Sequence, residues 1–587
     1  MKRILTITFV LLILVLPLFP QIPEFWINLL NSIGISSLVV IGLVILTGVA
    51  GLTSFGQATF VGLGAYASAY LTTAYGLSPW IGLLAAVIIS FLIAWLLGQI
   101  TLRLSGHYLA LGTIAVCLVF YYLYGNMSFL GGHDGLSGLP PIEFFGISLL
   151  SARYNYVLIC LFVLLAIWVS RNLLNSRNGR AIRSLPNKSG MASSFGVNLF
   201  HYKLVAFVFS AVLAGIAGWL YAHEQRAVSP SSFSLHYGIE YLFMAVIGGA
   251  GYIWGAVLGT VLVTVLRDQI QDIMPRLFHI NGNTEVIVFG VLVILILHYA
   301  REGIWPMFCR FFKKDEHHFG GMLSKKVSPL PKKEKPTHGE CILEVDKARK
   351  AFGGLVAVND VSFNLKAGQI VGLIGPNGAG KSTTFNLLTG VLPLSSGRVS
   401  FMGQDITHLD ARQIAELGMA RTFQHVQLMS DMTVLENVAL GAHLRANSSI
   451  LQALFHLERK SEAQLLQEAK MQCERVGLGD CLDALAGSLP LGKQRIVEIA
   501  RALALDPKLL LLDEPAAGLR FKEKEALAQV LVNLRREGLS ILLVEHDMDF
   551  VMQLTDHIVV VEFGTVIAQG TPKEIQTNPV VLEAYLG

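Results

Sequence analysis

Apolar runs close to 20 residues long recur through the first half of this chain, and that repetition leaves few folds open. They cover 4–20, 35–53, 57–75, 80–101, 108–125, 155–170 and 203–222, followed by a longer stretch at 236–267 and a last run at 284–299. A helix needs about 20 apolar residues to cross a hydrocarbon core. Lipid offers no water to satisfy backbone N–H and C=O groups, so each span must bond internally as a helix. Residues 1–301 are therefore expected to form a membrane-embedded, all-α polytopic domain. Mean hydropathy is +0.56 and only 15% of residues are charged, well below an average soluble protein.

The 587 residues suggest two or more domains. A net charge of +4 gives no footing for a nucleic-acid partner. Six scattered cysteines lack C-x-x-C spacing and read as reduced thiols. Met1-Lys-Arg followed by an apolar run has no clear small-residue cleavage site, so 4–20 is read as a retained first span.

Basic residues gather at Lys2-Arg3, in 171–188 and after 301, which should face the cytoplasm; the charge-poor loop 126–154 should face outward. An odd number of crossings must then lie within 236–299. The break at Gly248-Gly249-Ala250-Gly251 allows either a helical hairpin or a re-entrant segment. Small residues from Gly51 to Ala65 suit tight helix packing or a pore lining. Glu240, at the head of an apolar run, is an intramembrane carboxylate, expected to start a helix or to hydrogen-bond. Residues 302–340 are basic and proline-bearing, without helical or strand period, and read as a flexible linker in which lipid contact by lysines is secondary.

From 341 to 587 the pattern is that of a soluble α/β domain. The strand Gln369–Ile374 runs into Gly375-Pro-Asn-Gly-Ala-Gly-Lys381-Ser382-Thr383 and then a helix, giving a G-x-x-x-x-G-K-S phosphate loop. Gly375, Asn377, Gly378, Ala379 and Gly380 let backbone amides wrap a phosphate chain, Lys381 brings a charge to it, and Ser382 offers a hydroxyl to Mg²⁺. A second strand, Leu509–Leu512, ends in Asp513-Glu514, where Asp513 would hold the metal and Glu514 would polarise the attacking water. A third, Ile541–Val544, ends in Glu545-His546, which puts a histidine near the γ-phosphate; Gln424 lies between the first two motifs, within reach of the metal.

These motifs, in this order, resemble the ATPase domain of ATP-binding-cassette (ABC) transporters. The resemblance implies ATP and Mg²⁺ as cofactors, Phe352 stacking on adenine, and head-to-tail cassette pairs in which Gly492 of the signature Leu489-Pro490-Leu491-Gly492 faces a partner's nucleotide. Pro490 stands where the family usually has serine, and Ala516 to Arg520 lack the usual aspartate. The runs Gly51–Tyr66, Gly131–Gly135, Phe352–Phe363 and Gly564–Gly587 are similar to the permeases and ATPases of branched-chain amino-acid importers. That similarity implies a permease and ATPase fused in one chain of a bacterial cytoplasmic membrane. It would work with a second permease, a second ATPase and an extracytoplasmic binding protein. Branched-chain amino acids are the expected cargo, with urea, short amides or small aromatic acids as alternatives, and an exporter or ATP-regulated channel as less favoured classes. Gly179-Arg-Ala-Ile-Arg183 through Val197 resembles the family's coupling segment, which docks on the ATPase; Ser189 replaces a usual glutamate there.

Overall fold

The computed structural model describes residues 17, 19–104, 106–144, 146–186, 189–278, 290–291, 294–295, 298–300, 302–311 and 327–586. The expected first span at 4–20 lies almost wholly outside these residues, as do the side chain of Ser189 and most of the run 284–299. The chain forms two compact units: residues 1–175 with 200–316, and residues 176–199 with 317–587.

The first unit is helical. Its principal helices are α1 (Glu24–Leu43), α2 (Gln57–Ala74), α3 (Pro79–Thr101), α4 (His107–Asn126), α5 (Ala152–Leu174), α7 (Leu199–Gln225), α8 (Leu235–Gly248) and α9 (Ile253–Phe278). Six described helices are long and apolar enough to cross a membrane: 24–49, 79–101, 107–126, 152–174, 199–225 and 253–271. The span expected at 35–53 begins eleven residues earlier, at Glu24. Glu24, Asn28 and Asn31 interrupt the apolar pattern there, but the helix buries Asn31, whose Nδ2 donates to Ala152 O at 3.1 Å.

The glycine-rich break separates α8 from α9, so 236–267 is a pair of helices packed on each other, one of 14 residues and one of 26. Tight packing explains the small residues: a Cβ on Gly64 would come within 2.0 Å of Gly215 O. Two strands, β1 (Leu136–Ser137) and β2 (Ala227–Val228), pair antiparallel. They bring the 126–151 loop and the turn after α7 to the same end of the helical unit, as the charge pattern requires.

The stretch read as a flexible linker contains ordered segments. Ile304–Phe311 is a helix (α10), with Pro306 in its first turn, where proline is tolerated. Eight residues are too few to reveal a helical period. Farther on, Leu330 is buried, Gln464 Nε2 donates to Ser328 O at 2.9 Å, and Lys333 N donates to Asp506 Oδ2 at 2.6 Å. Residues 328–333 are thus laid along the second unit.

That second unit is α/β. A four-stranded antiparallel sheet orders β4 (Leu355–Lys366), β3 (Cys341–Phe352), β6 (Ser396–Phe401) and β7 (Gln404–Asp405). A six-stranded sheet orders β8 (Met419–Arg421), β9 (Leu509–Asp513), β10 (Ser540–Val544), β5 (Ile370–Ile374), β11 (His557–Glu562) and β12 (Thr565–Gly570). All its pairings are parallel except β11 with β12. Strands β5, β9 and β10 are buried along their whole length, which is why they read as unbroken apolar runs instead of alternating ones.

Candidate active site

The order β8-β9-β10-β5 decides what comes together. Gln424 follows β8, Asp513-Glu514 end β9, Glu545-His546 follow β10, and the phosphate loop follows β5. Four adjacent parallel strands therefore deliver their C-terminal loops to one edge, where ligands bind in open α/β sheets.

The loop 375–380 enters α11 (Lys381–Leu388). Gly380 has φ +93, and a Cβ there would meet Ala357 O at 2.4 Å, so only glycine fits. Ala379 is buried, whereas Asn377 and Gly378 are exposed. The first amides of α11, at Lys381, Ser382 and Thr383, have no carbonyl partner within the helix. Lys381 is largely buried and its Nζ donates to Gly375 O at 2.7 Å and Pro376 O at 2.9 Å. Burial lowers its pKa, opposed by the charges of Glu514 and Asp513.

Asp513 is 4% exposed. Its N–H donates to Thr422 Oγ1 at 3.2 Å, while its Oδ1 is buried without a hydrogen bond among the described residues. Burial pushes its pKa up to about 6, against the pull of Arg421. A buried, unbonded carboxylate oxygen fits a hard divalent cation with oxygen ligands. Glu514 has φ +47, left-handed for a non-glycine residue, held by its N–H to Val544 O at 2.9 Å. Such strain costs about 1–3 kcal/mol and gathers at functional sites. Gln424 Nε2 donates to Glu514 Oε1 at 3.3 Å, and His546 Nδ1 lies 4.0 Å from Glu514 Oε2.

Phe352 closes β3, is 47% exposed, and has Lys350 Nζ 5.3 Å from its ring centre. Gly492 does not join this cluster. It lies in the first turn of α14 (Leu491–Ala504), capped by Pro490 without a side-chain hydrogen bond. The Glu523 carboxylate is its neighbour, 2.7 Å from where a Cβ would stand. Ser488 Oγ, the nearest hydroxyl in sequence, donates to Leu485 O at 2.8 Å.

Two residues without a role in the motif reading matter here. Glu545 is 1% exposed and accepts from Ala516 N at 2.7 Å and His546 N at 3.2 Å, tying the turn after Glu514 to the histidine loop. Arg421 is buried beneath the site, with Nη1 donating to Thr389 Oγ1 at 2.6 Å and to Asn386 Oδ1 at 3.0 Å. Burial lowers its pKa to about 10. An acid beside the histidine and an arginine at the end of β8 were the available signals.

The segment 176–199 packs on the same unit. Its helix α6 (Arg177–Arg183) inserts Arg180, 1% exposed, onto both oxygens of Glu462. Arg183 pairs with Glu436, and Arg177 Nε donates to His443 O at 2.7 Å. Beyond it, the Arg501 guanidinium lies 4.9 Å from the centre of the Phe195 ring. The partners come from α12 (Val434–Gly441), α13 (Arg459–Arg475), α14 and the turn at His443.

Residues 25–297 match the family model of the branched-chain amino acid transport system permease component. Residues 358–517 match the ABC transporter model, and 565–587 the branched-chain amino acid ATP-binding cassette transporter model. The chain is 44% identical over 249 residues to the high-affinity branched-chain amino acid transport ATP-binding protein BraF of Pseudomonas aeruginosa, covering 42% of this chain and 98% of that protein. It is 43% identical, with the same coverage, to LivG of Escherichia coli K12. A probable LivG of Methanocaldococcus jannaschii is 35% identical over 42% of this chain and 97% of its own length. The chain belongs to the branched-chain amino acid ABC transporter family, with a permease half and an ATP-hydrolysing cassette in one polypeptide.

Proposed function

We propose that this protein is the fused permease–ATPase subunit of an importer that drives branched-chain amino acids across the bacterial cytoplasmic membrane. The observation that carries this reading is that one polypeptide holds two halves, each matching branched-chain amino acid transport independently. A complete transporter then needs a second permease domain, a second cassette and an extracytoplasmic binding protein.

In the nucleotide-binding half, the loop from Gly375 to Gly380 and the first amides of α11, including Ser382 and Thr383, cradle the phosphates, and Lys381 turns from its loop carbonyls to the β and γ oxygens. Ser382, Gln424 and Asp513 would hold Mg²⁺, which would supply positive charge to offset that of the phosphates. Glu514 orients and polarises the attacking water, His546 bonds the γ-phosphate, and Phe352 stacks on adenine. Gly492 and the N-terminus of α14 face a partner's nucleotide. The arginines of α6 carry cassette closure to the membrane half through Glu462 and Glu436.

The test is leucine uptake into vesicles holding the assembled complex. ATP-dependent accumulation that is lost in Lys381→Ala supports the reading. A wild-type complex that hydrolyses ATP yet accumulates none of leucine, isoleucine or valine overturns it. Because Pro490 has neither hydroxyl nor N–H, the reading also includes a different cassette as partner and unequal ATP sites. Two complexes, each lacking one phosphate-loop lysine, should then differ in residual ATPase activity; equal activity refutes the asymmetry.

A further inference from the structure

Within the helical unit, a pocket of about 170 Å³ opens among α1, α2, α7, α8 and α9. It is small beside the about 300–1,000 Å³ of clefts that hold drug-sized ligands, and so suits a solute of a few heavy atoms. Its polar lining is a charge constellation. Arg267 of α9 donates from Nη1 to Glu240 Oε1 of α8 at 2.6 Å, and Glu224, near the end of α7, supplies a second carboxylate. Its apolar wall includes Ile35, Phe233 and Met244.

Two atoms of the lining lack what burial normally demands. Glu240 is 7% exposed and Thr264 3% exposed, yet Glu240 Oε2 and Thr264 Oγ1 make no hydrogen bond among the described residues. A buried carboxylate oxygen left unpaired costs free energy that a cationic donor would recover. The Arg267 side chain is 41% exposed, and a guanidinium presents a fork of donors matched to a carboxylate.

We infer that this pocket is a solute site of the membrane half and that it selects zwitterionic α-amino acids with apolar side chains. The solute ammonium bonds to Glu240 and Glu224, its carboxylate to Arg267, and its side chain rests on Ile35, Phe233 and Met244. Urea and short amides bring no charges to either end, and aromatic acids bring only the negative one. The inference rests on the import reading and gives its cargo a site in the membrane half.

The experiment uses the assembled transporter in vesicles. Wild-type leucine uptake tests the import reading by itself. Given that uptake, Glu240→Gln and Arg267→Gln should each lower the maximal rate, at saturating leucine and binding protein, about tenfold or more, since each removes a charged hydrogen-bond partner. A maximal rate within about twofold of wild type in both would overturn the pocket. A second arm holds even if those variants fail to assemble or leucine is not carried. Ser36→Cys, made with the exposed Cys309 and Cys341 replaced by serine, is labelled by a thiol reagent. Leucine should slow labelling, while isoamylamine and 4-methylpentanoate, which each lack one charge, should not. Equal labelling rates with and without leucine, or equal protection by all three, would overturn the assignment.

Discussion

Asp513 and Glu436 are both buried carboxylates of one folded unit, 4% and 6% exposed, yet burial leaves them in opposite states. At Asp513 burial wins: the pKa is pushed up to about 6 and Oδ1 has no hydrogen bond among the described residues. At Glu436 burial is outweighed by Arg183 and by the Thr433 N–H, donating at 3.0 Å, and the pKa falls below the ordinary carboxylate range. Arg180 shows the same balance from the cationic side, with burial more than offset by Glu462, Glu436 and Glu458. The difference separates two uses of a buried acid. One with its partners supplied by the chain fixes a docking geometry; one left short of a partner is held ready for a cation from outside.

The comparison breaks most sharply at the reacting end. Glu514→Gln keeps the cradle and its hydrogen-bonding shape but removes the carboxylate, so ATP should still bind while turnover falls by about 10²–10⁴-fold. Nucleotide retention with single-turnover hydrolysis measures both; unchanged hydrolysis would remove Glu514 from the role of base.

Next comes the docking segment. Arg180→Ala leaves Glu462 buried without its main cation, a loss of about 3–5 kcal/mol. Glu462→Ala should cost a similar amount, and the double variant less than the sum of the two. The readouts are leucine transported per ATP hydrolysed and the melting temperature of the cassette unit. Additive losses would mean that the pair does not hold the segment.

How far these two sites could be read from sequence follows from the same geometry. The phosphate loop is contiguous, and Asp513, Glu514 and His546 sit directly after unbroken apolar strands, so the strand order only had to align ends already recognisable. The docking segment was locatable, but Arg180 and Glu462 are 282 residues apart, and no local pattern pairs them. The pocket at Glu240 was legible only as a lone acid, because Arg267 and Thr264 lie beyond the glycine break on the next helix. The start of α1 was hidden by Glu24, Asn28 and Asn31, of which the helix buries only Asn31, and the helix at Ile304 was too short to show a period.

Removing the charge at Asp513 should have the opposite sign to removing one at Arg180. The raised pKa, about 6 against the ordinary 3.8, means that the ionised carboxylate disfavours the folded state at neutral pH by up to about 3 kcal/mol. Asp513→Asn should therefore melt a few degrees higher in chelator without nucleotide, while losing Mg²⁺-dependent ATPase activity. A lower melting temperature would show that the carboxylate has partners after all.

The smallest effect is a difference in pH dependence, and it sets the two regions against each other directly. Asp513 has a folded pKa above its unfolded value, so the folded state binds the extra proton and stability rises as pH falls through about 6. His443, packed against Arg177 and Arg180 at the docking segment, is held well below its ordinary 6.5, first by burial and then by those two charges. There the unfolded state binds the extra proton, so stability falls as pH drops below 6.5. Each contributes a slope of at most about 1.4 kcal/mol per pH unit, and in the wild type they partly cancel. Glu436, whose pKa is lowered, keeps its contribution down to its ordinary value near 4.5 and adds no slope above it. Melting at pH 7.5, 6.5 and 5.5, with chelator and without nucleotide, should therefore diverge between variants. Relative to wild type, His443→Gln should gain stability on acidification and Asp513→Asn should lose it. Glu458 faces neither group and drops out of the differences, whereas Glu545, a like charge that helps raise the Asp513 pKa, shifts in Asp513→Asn in the same direction as the loss of Asp513 itself. Parallel profiles would mean that neither burial sets the charge state of its group, and the contrast between an acid held for a ligand and a docking site held by the chain would fall with them.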